Sequence, residues 1–423
     1  MSSFLGMIGT GDWTNEERPK NFRQGLLKMY PNGNMPITAI TSKGKSERTD
    51  DPEFKYYSKD LAVQGGSITG VYTDLAMTAA AGAGIYAVGQ NFYVKVNAET
   101  ASHFRRGHTA LFVSTTNRAL EAFGKVISVT SNGDNSQIGV ILRAESAAST
   151  MNAVNYIDIV GNSNPEGGTA VDSINYTPNK FYNYTQIFRT PLDISRTQRK
   201  TRMRTGDPYL EAKADSMLYH GIEIEMALIN GWKTEISENG STERTTQGLI
   251  PFLRENEPGN ILDYASSTSL TWRQGGEDWL DEKLEVLFRY GRETKMAVCG
   301  SGALLGIMKL VKMSGQFQLT PETGAYGVKV ARWVTPFGEL LLKRHPLFTF
   351  KSYRRQDMLI FEPENLRYMY IDDTHFKRDD EEAKAGKVGY DGTKEEFLTE
   401  AGFEIHFPET MMLLTSIGSN GTA

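Results

Sequence analysis

One short stretch of the sequence combines residue types that do covalent chemistry. Val298–Gly302 reads VCGSG and lies where a predicted strand turns into a predicted helix, as the nucleophile of an α/β-hydrolase does. The hydrolase pattern G-x-S-x-G would need glycine at 299 and 303, where this chain has Cys299 and Ala303. A papain-type site would need a second cysteine and an aromatic residue. We therefore interpret Cys299 as a buried cysteine before a glycine-rich helix start, with anion binding at that start as the weaker alternative.

The remaining chemistry-bearing residues form no constellation in the sequence. The histidines are scattered, at positions 103, 108, 220, 345, 375 and 406. The five-residue spacing of His103 and His108 is not the i, i+4 spacing of a helical zinc site, and His220 is interpreted as a packed or interface histidine. Asp379–Glu382 lacks the interleaved spacing of a calcium loop, and the glycines of 82–89 lack the spacing of a dinucleotide loop. The sequence therefore predicts no catalytic, cofactor-binding or metal-binding residue.

Length and composition limit the class of protein. The 423 residues allow two or three domains, and the net charge of -5 gives no overall basic field for nucleic acid. A single cysteine excludes an intrachain disulfide and fits a reducing cytoplasm. The N-terminus has no secretion signal, and no apolar run approaches the length of a membrane span, so we expect no membrane partner.

The most strongly patterned element is a long helix predicted over Asp207–Trp232. Asp207 is a suitable N-cap and Pro208 suits the first helical position. An apolar face is predicted by residues that recur at steps of three and four, namely Leu210, Ala214, Met217, Gly221, Ile224 and Leu228. Asn230-Gly231 predicts a left-handed stop. A rod on the order of 35 Å long suits a subunit that spans between neighbours.

Residues 66–172 are predicted to be an insertion with its own core. Short segments rich in β-branched and aromatic residues predict strands, at Phe92–Val96, Thr109–Val113, Lys125–Thr130, Ile138–Leu142 and Tyr156–Val160. Ser131–Asp134 reads SNGD and predicts a hairpin. Strands at this spacing favour a small antiparallel barrel or sandwich.

Two stretches suggest contacts with other molecules. Residues 1–60 are rich in glycine and proline, with one short helix at Asn21–Met29, and their scattered aromatic residues favour an arm lying across a neighbour over a frayed terminus. The most basic run holds Arg196, Arg199, Lys200, Arg202 and Arg204. Because no aromatic residues interleave it, a solvated or intersubunit ion-pair surface is favoured over nucleic acid.

A compact α/β section is predicted after the long helix. Helices are predicted at Glu277–Tyr290 and from Ser301 to Met313, around a strand at Lys295–Cys299. Two hairpins are predicted, one turning at Thr335–Gly338 and one at Glu362–Asn365. Residues 372–388 are predicted to form a charged loop, followed by strands at Phe403–Phe407 and Met411–Ser416.

With these elements in order, the chain resembles a major capsid protein of tailed bacteriophages with the HK97-like fold, in the branch whose extended loop carries an inserted β-domain. The resemblance covers nearly the full length. Four strings carry it: Thr190–Thr197, Glu211–Trp232, Arg244–Leu253 and Gly402–Gly418. None of them is a catalytic signature.

The resemblance implies an α+β architecture with defined parts. These are an N-terminal arm at 1–45, an extended loop at 46–200 that contains the β-barrel or sandwich domain 66–172, a peripheral domain at 201–274 with the spine helix 207–232, an axial α/β domain at 275–345, and strands at 346–423 shared between the peripheral and axial domains. It gives no assignable pair for a lysine–asparagine crosslink.

The resemblance also implies a function. The chain is expected to assemble with itself, as hexamers and pentamers, into an icosahedral virion capsid around double-stranded DNA that is contacted non-specifically. Scaffolding, portal and cement proteins are the expected partners, with assembly in the host cytoplasm and no enzymatic role. The short segment before the extended loop suggests a separate scaffold or a mature form. The alternatives are an encapsulin-like compartment shell, a virion surface or carbohydrate-binding protein and, least favoured, an enzyme using Cys299 or Ser301.

Overall fold

The computed structural model describes residues 45–59, 64–82, 86–145, 151–166, 173–174, 178–201, 207–238, 240–314, 319–323, 329–377 and 392–422. They divide into two compact units, one from Met1–Tyr56 and Lys180–Ala423 and the other from Tyr57–Asn179. Residues 1–44 of the predicted arm 1–45 lie outside the described residues, as do the predicted helix at Asn21–Met29 and the acidic run Asp379–Glu382. No helix among the described residues is long and apolar enough to cross a membrane.

The smaller unit is built on one antiparallel sheet. Its strands are β3 (Gly65–Ser67), β4 (Gly70–Tyr72), β5 (Asn91–Val96), β6 (His108–Val113), β7 (Glu121–Thr130), β8 (Ser136–Glu145) and β9 (Tyr156–Asn162), with helix α1 at Ala98–His103. The sheet order is β3-β9-β6-β7-β8-β5-β4. All five predicted strands are confirmed, as is the hairpin, where Gly133 has a φ of 55°.

The sheet of the smaller unit closes on itself. Its two edge strands, β3 and β4, follow each other in the chain with only Ile68 and Thr69 between them. The Ile68 N–H donates to the Asn155 carbonyl at 2.8 Å, and the Thr69 N–H donates to the Lys95 carbonyl at 3.0 Å. Because one short segment crosses from one edge to the other, the sheet must curl into a barrel, one of the two predicted arrangements.

The larger unit is organised by a mixed seven-stranded sheet with the order β14-β22-β19-β15-β18-β17-β16. These strands are β14 (Ile261–Asp263), β15 (Thr294–Cys299), β16 (Leu319–Thr323), β17 (Lys329–Thr335), β18 (Gly338–Arg344), β19 (Met358–Phe361) and β22 (Met412–Thr415). Strand β15 shows why two cores form. Met296 and Val298 enter one core, whereas Ala297 and Cys299 enter the other.

The larger unit also contains a second sheet, two two-stranded ladders and seven helices among the described residues. A second sheet has the order β1-β20-β21-β11, made of β1 (Lys45–Arg48), β20 (Leu366–Lys377), β21 (Gly392–Ile405) and β11 (Gln186–Ser195). Two ladders pair β2 (Glu53–Ser58) with β10 (Asn179–Tyr184) and β12 (Thr234–Glu238) with β13 (Ser241–Thr245). The helices are α2 (Arg196–Lys200), α3 (Pro208–Asn230), α4 (Leu249–Asn256), α5 (Tyr264–Ser267), α6 (Trp272–Leu287), α7 (Ser301–Ser314) and α8 (Pro346–Phe350).

Helix α3, the predicted spine helix, is confirmed, but its predicted stop is wrong. Gly231 has φ -60° and ψ 140°, which is extended and not left-handed. Glycine is required there for space. A Cβ at Gly231 would lie 2.4 Å from the Thr246 carbonyl oxygen and 2.5 Å from the Ala227 carbonyl oxygen. The sequence therefore pointed to the correct residue, Gly231, but the helix end needs its small size and not a positive φ.

Helix α6 begins five residues earlier than the predicted Glu277 and ends at Leu287. Thr271 and Gln274 form a capping box, which fixes the start. The Gly275-Gly276 pair reads as a breaker in sequence, yet it lies inside the helix because Trp272 packs over it. A Cβ at Gly276 would lie 2.8 Å from the Trp272 ring.

The hairpin predicted at Glu362–Asn365 is wrong. Strand β19 pairs with β15 and β22, whereas β20 pairs with β1 and β21 in the other sheet. A 3-10 turn at Pro363–Asn365 carries the chain from one sheet to the other. The predicted charged loop at 372–388 is also wrong in its first part, because β20 continues to Lys377. The Thr335–Gly338 hairpin is confirmed.

Candidate assembly surface

The spine helix α3 is positioned by polar contacts along its first half. The Asp207 carboxylate accepts the Tyr209 N–H at 2.9 Å as the N-cap, and the Tyr209 hydroxyl donates to Glu395 at 2.5 Å. The two ring nitrogens of His220 lie 2.9 Å from the Thr190 hydroxyl and 2.7 Å from the Thr399 hydroxyl. The helix is therefore fastened to β11 and β21 by hydrogen bonds. His220 is a packed histidine, as the sequence interpretation held.

These polar contacts turn the predicted apolar face outward in the first half of the helix. Leu210 and Met217 are each 61% exposed, whereas Ser216 and His220 are buried. Only the later part of the predicted face, Ile224 and Leu228, enters the core. The predicted periodicity is therefore correct, but the N-terminal half of the predicted apolar face lies on the surface. Exposed apolar stripes of this kind are typical of sites that contact another protein.

Further apolar side chains are exposed where α3 ends. Trp232 is 58% exposed, and Ile236 is 52% exposed on the β12–β13 hairpin that follows. The described residues of this hairpin pair only with each other within the sheets. A two-stranded ribbon alone is marginally stable in water, so a projecting hairpin gains from contact with another surface.

The basic run begins on helix α2, and the structure describes three of its five cations. Arg196, Arg199 and Lys200 are exposed on α2, and Arg202 and Arg204 lie outside the described residues. Arg199 donates to the Thr393 hydroxyl at 3.1 Å, and its guanidinium lies 5.2 Å from the centre of the Tyr209 ring. Arg199 therefore helps join α2 to β21 and to the start of the spine helix.

Cys299 lies at the end of β15 and is fully buried. Burial raises the pKa of its thiol far above the ordinary value, so the nucleophilic thiolate is disfavoured. The glycines after it serve packing, because a Cβ at Gly300 would lie 2.3 Å from the Arg355 carbonyl oxygen. The interpretation of Cys299 as a buried structural cysteine is confirmed.

The histidines are held apart, each by its own partners. His345 Nε2 lies 2.8 Å from Glu225, with both side chains fully buried. Since His345 Nδ1 accepts the Leu347 N–H at 3.1 Å, Nε2 carries the proton and donates to Glu225. Within the described residues, no group of three or more His, Cys, Asp or Glu is placed to hold a metal ion.

A second buried pair was missed by sequence reasoning. The Lys295 ammonium donates to Glu362 at 2.5 Å and to the Tyr290 carbonyl at 2.9 Å. Glu362 also accepts the Arg292 N–H at 2.8 Å and the Asn365 side chain at 2.9 Å. Burial lowers the pKa of Lys295, and Glu362 opposes that shift. The available signal was a lysine opening an apolar strand (KMAVC) and a glutamate closing another (MLIFE).

Buried polar anchors, a helix with an outward apolar stripe and a projecting hairpin describe a subunit of a larger assembly. The sequence matches the SU10 major capsid protein family over residues 7–418, and the chain belongs to that family. The major capsid protein of Pseudomonas phage PaMx41 is 23% identical over 383 residues, which cover 89% of this chain and 84% of that protein. The recognition of a phage major capsid protein is therefore confirmed.

Solved structures with similar backbones include a phage structure and an encapsulin. A Mycobacterium phage Bobi structure has 8% identity and a TM-score of 0.43, covering 96% of this chain and 94% of that chain. The encapsulin of the holo-SrpI complex from Synechococcus elongatus PCC 7942 has 13% identity and a TM-score of 0.38, covering 58% of this chain and 78% of that chain. The family assignment rests on the sequence match.

Proposed function

We propose that this capsid subunit assembles as hexamers and pentamers into an icosahedral shell that encloses double-stranded DNA. The observation that carries the proposal is the exposed apolar stripe of the spine helix in a chain that matches a capsid family along almost its whole length. Leu210 and Met217 lie on a rigid element anchored at both ends, which suits a surface that many copies must present in the same geometry.

We also propose a division of the subunit into parts. We propose an N-terminal arm at 1–45, an extended loop at 46–200 carrying the β-domain 66–172, a peripheral domain at 201–274 and an axial domain at 275–345. The separate core of the barrel supports the inserted domain. For 346–423, β19 and β22 join the seven-stranded sheet while β20 and β21 join the other sheet, which supports strands shared between two domains.

The role is proposed to be structural, in the virion capsid, with assembly in the host cytoplasm. Scaffolding and portal proteins, and cement proteins on the outside, are the proposed partners, and DNA is contacted through its phosphates without reading of bases. A non-catalytic role is supported by the burial of Cys299, whose raised pKa disfavours the thiolate. No cofactor is proposed.

The test is negative-stain microscopy with light scattering on the purified full chain, alone and co-expressed with the neighbouring gene products. Closed particles of megadalton mass are expected. DNA that resists nuclease inside particles recovered from infected cells separates a genome capsid from a cargo compartment. A chain that stays monomeric under all of these conditions would contradict the proposed function.

A further inference from the structure

Helix α7 presents an outer face that combines apolar and cationic side chains. Leu305 is 50% exposed and Met308 is 45% exposed, and Lys309 and Lys312 beside them are also exposed. These positions are separated by steps of three and four, so they share one side of the helix. Residues 301–314 contain no acidic residue. Nothing in the described part of the chain covers this face.

The segment after α8 extends the same kind of surface. The Arg355 carbonyl accepts the N–H groups of Gly302 and Ala303 at 2.9 and 3.1 Å, so this segment adjoins the start of α7. Residues 346–356 carry three cations and no acidic residue, and they expose Phe350 at 69% and Tyr353 at 65%. The protein as a whole is acidic, with a net charge of -5. The basic surface of α7 and 346–356 is therefore a local exception.

Helix α6, in the same compact unit, presents the opposite charge. Its outer side carries the exposed Asp278 and Glu282, and Glu282 pairs with Lys283 at 3.0 Å. Glu277 and Asp281 are half-buried and line a small pocket together with Leu310 and Val311 of α7. Within the described residues, Glu277, Asp278 and Asp281 have no ion-pair partner. Burial and the neighbouring Asp278 raise the pKa of Asp281, as expected for carboxylates that repel each other. Exposed apolar residues flank the helix, with Leu270 at 48% and Tyr290 at 49%.

We propose that the α7 surface of one subunit receives the acidic outer face of α6 from a second copy of this chain. Charge complementarity identifies the occupant, because the carboxylates of α6 supply the anions that Lys309, Lys312 and Arg355 lack among the described residues. The two faces lie on different helices, so the proposed contact is head-to-tail, and it forms a ring where its rotation closes around an axis. This inference rests on the proposed function and names the pair of surfaces that forms the capsomer.

The direct test reverses the charges of each face in the full chain. Variant A carries K309E and K312E, and variant B carries D278K and E282K. Each is expected to lower the yield of capsomers and particles by about tenfold or more, because like charges facing each other across an interface cost several kcal/mol. The quadruple variant, with both faces reversed, restores the attraction and is expected to recover most of the yield. R118E with R143E is the matched control for variant A, since it makes the same charge change on exposed residues of the barrel.

Co-expression of A and B separates contact between copies from an effect on folding. A has two acidic faces and B has two basic faces, so alternating copies satisfy every contact in a six-membered ring. Hexamers containing both variants in equal amounts are therefore expected from co-expression where neither variant alone forms them. A five-membered ring cannot alternate two kinds, so closed particles are expected from the quadruple variant and not from this mixture.

Three results would overturn the inference. Variants A and B that assemble like the wild type would show that these faces do not meet, while leaving the proposed function intact. The same conclusion would follow if variants A and B keep the wild-type thermal midpoint, and so are folded, but assembly is restored neither in the quadruple variant nor by co-expression. A wild-type chain that never assembles would overturn the proposed function and this inference with it.

Discussion

The core of the barrel and the cores of the larger unit differ in the polar side chains that they bury. The barrel is filled by apolar side chains such as Phe92, Phe112 and Ile138, each with no exposed surface. The larger unit also buries the ion pair Lys295–Glu362 and the hydrogen-bonded pair Glu225–His345. In the described residues of the barrel no ion pair is buried. A closed sheet leaves no edge to be covered, whereas the larger unit must fix the ends of strands and helices that belong to different sheets.

This difference bears on how each region meets its neighbours. Glu225 of the spine helix pairs with the buried His345, and the same helix exposes Leu210 and Met217. A rigid but apolar surface suits repeated contact with other copies. The barrel satisfies its own backbone, so we expect it to fold independently of such contacts. The predictions below test this contrast, and they use the fact that all five tryptophans lie outside Tyr57–Asn179. Tryptophan fluorescence therefore reports the larger unit alone.

The largest expected effect is that of Lys295→Met. It leaves Glu362 buried without its cation, which costs about 3–5 kcal/mol when one partner of a buried pair is removed. In urea unfolding, the fluorescence transition is expected to move to lower urea, and the free energy of unfolding derived from it should fall by that amount. The part of the circular dichroism change that belongs to the barrel should keep its midpoint. The double variant K295M/E362L should recover only part of the loss, because Glu362 also binds the Arg292 N–H and Asn365. An equal shift of both transitions would break the contrast between the units.

The counterpart in the barrel is Phe112→Ala, which removes a fully buried core ring from β6, the strand between β7 and β9. The cavity and lost burial cost about 3–5 kcal/mol. Here the circular dichroism component of the barrel should move to lower urea while the fluorescence transition remains where it is in the wild type. Fluorescence that moves together with the barrel component would show that the two units unfold as one.

A smaller effect is expected from two glycines of the spine helix. Gly231→Ala places a Cβ within 2.5 Å of two carbonyl oxygens and should destabilise the larger unit by about 1–3 kcal/mol through overpacking. Gly221→Ala is the matched control, because no heavy atom lies within 4 Å of its Cβ position. It should stabilise the helix by about 1 kcal/mol, since alanine loses less backbone entropy. Both are measured by the fluorescence transition, and effects of the same sign would contradict this account of Gly231.

The smallest expected effect is a pH dependence at His220. Burial lowers its pKa below the ordinary 6.5, with Glu223 opposing, so the folded state binds fewer protons than the unfolded state below that pH. The stability that His220 contributes is therefore fully present above about 6.5 and is lost as the pH falls toward the lowered pKa. His220→Gln should flatten this slope in the fluorescence transition. His108, whose pKa is lowered by burial and by Arg105, should give the same slope in the barrel component alone.

The sequence predicted the elements better than their environments. All five barrel strands and the spine helix followed from local periodicity, which depends on neighbouring residues. The outward turn of Leu210 and Met217 did not follow, because it is set by Glu395, Thr190 and Thr399, which are remote in sequence. The false hairpin at Glu362–Asn365 has the same origin, since pairing of β19 and β20 with distant strands overrides their closeness in the chain. The burial of Cys299 was predicted correctly, because its motif lacks the residues that an exposed nucleophile would need.

The most direct measurement is oxidative footprinting of Met217 in assembled particles and in dispersed subunits. If the outward stripe of the spine helix is a contact between copies, Met217 should react readily in subunits and become protected in particles. Met151, which is fully buried in the barrel, should stay protected in both and serves as the internal reference. Equal reaction of Met217 in particles and subunits would contradict the claim that this stripe is an assembly surface.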